Sequence, residues 1–216
     1  MKSILDYSVE GTNTEAGIEA AFEETLRSVQ NAGKNPHIPF AVFKPTAMIK
    51  TEVLEKFTFN KELTDEEKQQ FYDFENRVDK LADAAIRKNI RLLIDAEDYA
   101  FQAAIDHVVE KMMAKHNRER VVVFNTLQMY RTDRLEYLKR LIEKARKEKY
   151  FAGVKFVRGA YMEKERELAE KSGYPDPINP NKEATDNMYN NALQLSFENI
   201  DILHIFNGTH NEESSI

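Results

Sequence analysis

Short apolar segments alternate along this chain with longer segments of helical periodicity, and this alternation constrains the fold more than any other feature. Strands are predicted at residues 3–7, 39–44, 90–95, 120–125, 153–158 and 201–206. Helices are predicted at residues 14–32, 64–88, 99–115, 133–147 and about 183–197, and a Lys/Glu-rich, solvent-facing helix is predicted at 161–171. Apolar strands joined by helices are βαβ units, and continuous Val, Ile, Leu and Phe content suits a sheet covered on both faces. The sequence therefore predicts an α/β fold with a parallel sheet.

The absence of glycine-rich loops helps to choose between two architectures that contain a parallel sheet. No predicted strand is followed by G-x-G-x-x-G or by G-x-x-x-x-G-K-[ST], the loops that bind dinucleotide or nucleotide phosphates. This absence argues against an open, doubly wound sheet with such a loop. The interpretation adopted is a (βα)8 barrel of the TIM type, of which the chain supplies about six βα units.

Composition excludes several classes of protein. The 216 residues are 42% hydrophobic, enough for one large domain, and the net charge of -6 argues against a nucleic-acid binder, which needs a clustered basic surface. The absence of cysteine excludes disulfides, thiolate nucleophiles and Cys-ligated metal centres. No stretch reaches the ~18 consecutive apolar residues of a membrane-spanning helix, and the first residues lack a signal-peptide pattern. We expect a cytoplasmic protein that acts on small molecules, with peripheral contact at an inner membrane left open.

Polar residues follow every predicted strand. They are Asp6-Tyr7, Lys44 to Thr46, Asp95 to Glu97, Asn125 to Gln128, Lys155 to Tyr161, and Asn207 to Asn211. Taken singly, each has an ordinary structural explanation as a helix cap or a turn residue. Barrel enzymes, however, place their chemistry at the carboxyl ends of strands. We therefore predict one polar pocket at that rim.

The remaining histidines and serines do not indicate a site. His107 and His116 lack a second ligand at metal spacing, and His204 is expected to be an ordinary strand residue. No metal site is expected. Ser214-Ser215 has no neighbouring base of the kind that activates a hydrolase nucleophile.

Several segments together resemble the proline dehydrogenase family. They are SILDYSVEG, FKPTAM, LLIDAEDYAFQAAID, VVVFNTLQMYR, VKFVRGAYMEKERELAEKSGYPDPINPNKEATDNMYNNAL and NGTHNEES. The matches run in family order across nearly the whole chain. The resemblance implies a flavin barrel that binds FAD non-covalently, oxidises L-proline to Δ1-pyrroline-5-carboxylate and passes electrons to a quinone.

The resemblance also implies roles for the polar strand ends. Lys155 would lie beside the reactive part of the flavin, where a cation stabilises negative charge on the reduced ring. Asp95 would be the active-site aspartate, and Lys44 would meet the substrate carboxylate and form a coupled polar pair with Asp95. Tyr161 would pack near the proline ring. The residues implied to contact FAD are Ala96, Asn125, Gln128, Val157, Arg158, Gly159, Ala160, Thr185, Thr209 and His210.

Two of these implied FAD contacts carry specific expectations. The family pattern places Asn125 where a side chain hydrogen-bonds the isoalloxazine ring. Arg158 would offer the fork of donors on its guanidinium to the polar groups of the cofactor.

One family feature has no counterpart in these residues. The last helix of the family carries Tyr-x-x-Arg-Arg, whose paired arginines clamp the proline carboxylate, and this sequence does not occur here. We therefore interpret residues 1–216 as a partial barrel domain without the last two strands and the final helix. Its open edge strands would favour self-association, and the isolated chain is expected not to oxidise proline.

Two other functions stay open on sequence alone. One is a catalytically incompetent structural fragment of such an enzyme. The other is an aldolase-like barrel that uses Lys44 or Lys155 as a Schiff-base nucleophile. The choice between proline and hydroxyproline as substrate is open too, because the final helix of the family helps to decide it.

Overall fold

The structure, a computed structural model, describes residues 4–6, 13–212 and 214–215. Within these residues the strands are β1 (Ile4–Asp6), β2 (Phe40–Phe43), β3 (Arg91–Ile94), β4 (Val123–Gln128), β5 (Ala152–Val157) and β6 (Leu203–Asn207). The helices are α1 (Glu15–Ala32), α2 (Thr51–Thr58), α3 (Asp65–Lys88), α4 (Tyr99–His116), α5 (Arg134–Glu148), α6 (Met162–Ser172) and α7 (Lys182–Glu198). Ser3 and Tyr7, predicted to belong to the first strand, lie outside the described residues.

The six strands form one parallel sheet in chain order, β1 to β6. Side chains alternate between its two faces. Leu92 and Ile94 belong to the large core beneath the helices, whereas Leu93 and Phe124 belong to a smaller apolar cluster. The α/β class and the parallel sheet are confirmed.

Aromatic contacts across the smaller cluster show that the sheet is strongly curved. The rings of Phe40 on β2 and Phe206 on β6 lie 5.3 Å apart, edge to face. In a flat sheet, four strand spacings would separate these strands by roughly 19 Å. The strands therefore wrap around an interior in the manner of a TIM barrel, as predicted.

Local sequence explains where the helices lie. On α5, Leu138, Leu141 and Ile142 are buried at helical spacing. The predicted capping box at the start of α3 is present: Thr64 Oγ1 accepts from the backbone N–H of Glu67 (3.2 Å), and the Glu67 carboxylate accepts from the N–H of Thr64 (2.9 Å). Such a cap contributes about 1 kcal/mol.

Two elements differ from the prediction. The fourth strand was predicted at 120–125, but β4 begins at Val123 and continues to Gln128. The Asn117 side chain accepts from the N–H groups of Val122 and Val123, which delays the regular strand. Helix α2 was not predicted, because its eight residues fall below the length at which an apolar period identifies a helix.

Candidate active site

A cavity of about 490 Å³ lies where β2 to β6 end. It brings together every predicted site residue except Asn125 and Thr185. The lining consists of Lys44, Asp95, Ala96, Thr126, Gln128, Lys155, Val157, Arg158, Gly159, Ala160, Tyr161, Lys182, Gly208, Thr209, His210 and Asn211. One polar pocket therefore exists at the predicted rim.

Strand alternation explains why Lys155 reaches this cavity. On β5, Val154 and Phe156 are fully buried in the core beneath the helices, while Lys155 and Val157 line the cavity. Lys155 lies within β5 and Arg158 directly follows it, and both cations line the cavity. Lys155, the one charged residue within this strand, is thus one of its inward-facing residues.

Asp95 at the end of β3 forms an ion pair with the ammonium of Lys155. The two side chains are only 19% and 16% exposed, so the pair is largely shielded from water. Sequence analysis predicted Lys44 as the polar partner of Asp95. Lys44 lines the same cavity, and its coupling to Asp95 remains a prediction.

Arg158 ties three parts of the rim together. Its Nε donates to Asp186 Oδ1 (2.6 Å), one terminal nitrogen donates to Thr209 Oγ1 (2.6 Å) and the other to Ser214 Oγ (3.1 Å). The guanidinium also lies over the ring of Tyr189, 4.5 Å from its centre. These bonds use three of the five N–H donors of the guanidinium and hold β5, α7 and the segment after β6 together. The contact of Arg158 with a cofactor remains a prediction.

Asn125 does not line the cavity, and its contact with an isoalloxazine ring remains a prediction. Its side chain is fully buried on the helix-facing side of β4, where its Nδ2 donates to Asp106 Oδ1 (2.8 Å) and to the hydroxyl of Tyr137 (3.1 Å). Gln128, three residues later, faces the cavity instead. Its buried Oε1 has no hydrogen-bond partner among the described residues. Gln128 is thus the β4 amide available to a ligand.

Two glycines bring the backbone close to its neighbours. Gly159 has φ +124°, and a Cβ there would lie 2.5 Å from the ring of Tyr130. A Cβ on Gly208 would lie 2.7 Å from the carbonyl oxygen of Phe156. A larger residue at either position would require the loop or its neighbour to shift.

A second cavity of about 620 Å³ adjoins the first. The two share Arg158 to Tyr161 and Lys182. Thr185 lines this second space rather than the first. The predicted site residues other than Asn125 therefore line two adjoining cavities.

Sequence analysis placed Thr126 and Glu97 at the polar rim without assigning either a role, and it did not anticipate Lys182 in the lining. Thr126 and Gln128 both face the cavity, because side chains two residues apart on a strand share a face. Once Gln128 was assigned to the site, this alternation could have identified Thr126. Glu97 is buried and accepts from Thr46 through both backbone N–H (2.8 Å) and hydroxyl (2.6 Å). Burial raises the pKa of Glu97, although these hydrogen bonds oppose the rise. The contact joins the loops after β2 and β3.

Charge in the first cavity is mainly positive. Its lining includes Lys44, Lys155, Arg158 and Lys182 but a single carboxylate, that of Asp95. The described residues contain no cluster of three or more His, Asp or Glu side chains placed to hold a metal ion. Such a pocket suits an organic anion.

All residues from 1 to 216 match the family model described as proline dehydrogenase. This chain belongs to the proline dehydrogenase family. It is 33% identical over 211 residues to the carbapenem antibiotics biosynthesis protein CarD of Pectobacterium carotovorum subsp. carotovorum, covering 98% of this chain and 55% of that protein. It is 41% identical over 137 residues to mitochondrial proline dehydrogenase 1 of Homo sapiens, covering 63% of this chain and 23% of that protein. The chain thus spans about half or less of these relatives.

A solved structure agrees with this family assignment at the level of fold. The proline utilization A protein (PutA) of Bdellovibrio bacteriovorus, inactivated by N-propargylglycine, superimposes with a TM-score of 0.85 and 20% identity. The superposition covers 99% of this chain and 23% of that protein. Among the described residues, no helix of this family member combines the length and the apolar content needed to cross a bilayer.

Proposed function

We propose that this chain forms the flavin side of a site for FAD-dependent oxidation of L-proline to Δ1-pyrroline-5-carboxylate, with electrons passed on to a quinone. The observation that carries the proposal is the convergence of Asp95, Lys155, Gln128 and the 158–161 loop on one cavity. These positions come from three different strands, and the family pattern assigns most of them to the cofactor or the substrate. Membership of the family supports the choice of proline.

The cavity residues fit an FAD molecule in chemical character. The unpartnered Oε1 of Gln128 offers an acceptor to the ring system, and the backbone at Gly159 carries no side chain that would block close approach. The adjoining space beside Thr185 would take the extended tail of the cofactor. When bound, FAD would supply a two-electron acceptor for the hydride that proline loses from carbon, and the amine nitrogen of proline would release the accompanying proton to solvent. Lys155, held by Asp95, keeps a positive charge beside that reaction.

The substrate half of the site is proposed to include Lys44 and Tyr161. Both line the cavity, and the Tyr161 side chain is partly exposed, at 37%, so its ring is available to pack on a small cyclic ligand. Lys44 would meet the carboxylate of proline. A single lysine binds a carboxylate less directionally than a pair of arginines does.

We also propose that residues 1–216 form a partial barrel domain, in which a further segment contributes the carboxylate clamp. The described residues supply six parallel strands, whereas a TIM barrel closes with eight. Strands β1 and β6 are the edges of this sheet, and such edges pair readily with another chain. Self-association through these edges is part of the same proposal.

The decisive experiment compares two proteins: the 216-residue chain, and the same chain joined to the carboxyl-terminal part of a curated relative that carries Tyr-x-x-Arg-Arg. Both are titrated with FAD, with flavin fluorescence as the measure of binding, and then assayed with L-proline and a dye acceptor. We expect both to bind FAD and only the joined protein to reduce the dye. If neither binds FAD, the chain is a structural fragment and the proposed function is wrong. Hydroxyproline, assayed in parallel, defines the substrate.

A further inference from the structure

Glu165 is fully buried although it lies in a charged helix predicted to face solvent. Its neighbours Met162, Glu163 and Lys164 in the first turn of α6 are exposed. Glu165 Oε1 accepts from the backbone N–H of Tyr99 at 2.7 Å. Tyr99 is the first residue of α4, so the carboxylate occupies one of the N–H groups that a helix start leaves without an intrahelical partner.

A second contact joins the same two helices. Lys164 Nζ binds both oxygens of Asp98, at 2.9 and 2.7 Å, and Asp98 immediately precedes α4. Helix α4 follows the loop that carries Asp95, and α6 follows the loop formed by residues 158–161. The contact between the helices therefore connects the two loops that face each other across the cavity.

Tyr130 extends the connection from Glu165 toward Gly159. The Tyr130 N–H donates to the carbonyl of Arg158 at 2.7 Å, and its ring lies directly against Gly159. The hydroxyl of Tyr130, Oε2 of Glu165 and one terminal nitrogen of Arg131 are buried and have no direct partner among the described residues. Buried polar atoms of this kind are normally satisfied by ordered water.

Glu165, Tyr130 and Arg131 are close enough to interact electrostatically. Burial raises the pKa of Glu165, and the positive charge of Arg131 opposes that rise. Burial also raises the pKa of Tyr130, and the carboxylate of Glu165 is the next cause of the increase. The carboxylate and the tyrosine hydroxyl thus act on each other even though no direct hydrogen bond joins them.

We propose that Glu165 is a positioning residue for the cavity. Its hydrogen bond to Tyr99 holds the first turn of α6 against the first turn of α4. A water-bridged contact with the hydroxyl of Tyr130 holds the Tyr130 ring against Gly159. Together these contacts set the distance between the 158–161 loop and Asp95. The link to ligand affinity rests on the proposed function, in which that loop contacts FAD.

The test uses three variants of the 216-residue chain. Glu165→Ala removes the acceptor, whereas Glu165→Gln keeps an oxygen for the Tyr99 N–H. Glu167→Gln is the matched control, because Glu167 lies on the same helix but is exposed and pairs only with Lys171 among the described residues (3.5 Å). FAD affinity is measured by titration, and amide hydrogen exchange is followed in residues 98–101 and 158–166.

We expect Glu165→Ala to weaken FAD binding by about tenfold or more, and Glu165→Gln to restore it to within about threefold of wild type, since a buried hydrogen bond is lost in one and kept in the other. Exchange in both segments should increase in the alanine variant while that of α1 stays unchanged. The control should match wild type in every measurement.

Several results would overturn the proposal. One is an amide exchange rate in Glu165→Ala that equals that of wild type. Another is an equal loss of FAD affinity in the alanine and glutamine variants. A third is faster amide exchange spread evenly over the chain. If wild type itself does not bind FAD, the proposed function fails. The exchange measurements would still decide whether Glu165 positions the 158–161 loop.

Discussion

Asp95 and Lys155 form an ion pair across the cavity although they lie 60 residues apart in the chain. Their strands, β3 and β5, are separated by β4, whose Thr126 hydroxyl lies 3.5 Å from the Asp95 carboxylate. Inward curvature of the sheet brings the two side chains together. Removing either partner would leave the other charge partly buried and uncompensated, which is unfavourable.

Lys155→Met should lower the rate of flavin reduction by proline by roughly 10²-fold or more, the scale for loss of one preorganised electrostatic contact. FAD should remain bound, because many other residues line the cavity. Rapid-mixing absorbance on the joined protein measures the rate. Lys139→Met, at an exposed position on α5, is the control, and unchanged reduction in Lys155→Met would contradict the assigned role.

Asp95 and Lys155 should also be energetically coupled in the folded chain, independently of any ligand. Asp95→Asn, Lys155→Met and the double variant are compared by urea unfolding. The coupling free energy should be roughly 0.5–3 kcal/mol, the range for residues in direct contact. A parallel cycle with Lys44→Met tests the predicted coupling between Lys44 and Asp95. Additive losses in the first cycle would show that the ion pair contributes nothing in solution.

Gly159→Ala should be more destabilising than Gly173→Ala. Both glycines have positive φ (+124° and +74°), so both substitutions introduce backbone strain. Only at Gly159 would the new Cβ also collide with a side chain, the buried ring of Tyr130, while nothing lies within 4 Å at Gly173. The extra loss in the free energy of unfolding should be roughly 1–3 kcal/mol, as for overpacked sites. Equal losses would mean that Tyr130 moves aside at little cost.

Stability should depend on pH through Glu97. Burial raises its pKa above the usual 4.5. A carboxyl group whose pKa is raised on folding contributes stability that is complete below about pH 4.5 and is lost as the pH rises through the folded-state pKa. Because glutamine does not titrate, the free energy of unfolding of wild type minus that of Glu97→Gln should fall between acidic and neutral pH. Denaturant unfolding across that range measures the difference, and an increase with pH would contradict the assignment.

The sequence by itself determined the order of the strands and of every helix except α2, and the rim at which the polar residues gather. Those features depend on local patterns: apolar runs, helical periodicity and the capping residues at Thr64 and Glu67. Strand ends of a parallel sheet lie at a common rim, so polar residues after successive strands were expected to meet. The family resemblance then implied which of them face a cofactor, and the family itself was confirmed by the match over the whole chain.

Tertiary structure alone decided which side chains face the cavity and how they pair. Alternation along β4 places Asn125 and Gln128 on opposite faces, but both faces of a covered parallel sheet are apolar, so the pattern does not reveal which of the two points inward. The partner of Asp95 depends on the curvature that brings β5 toward β3. The burial of Glu165 depends on α6 lying over the start of α4. In each case the deciding contact joins residues far apart in the chain, whose distance local sequence patterns do not encode.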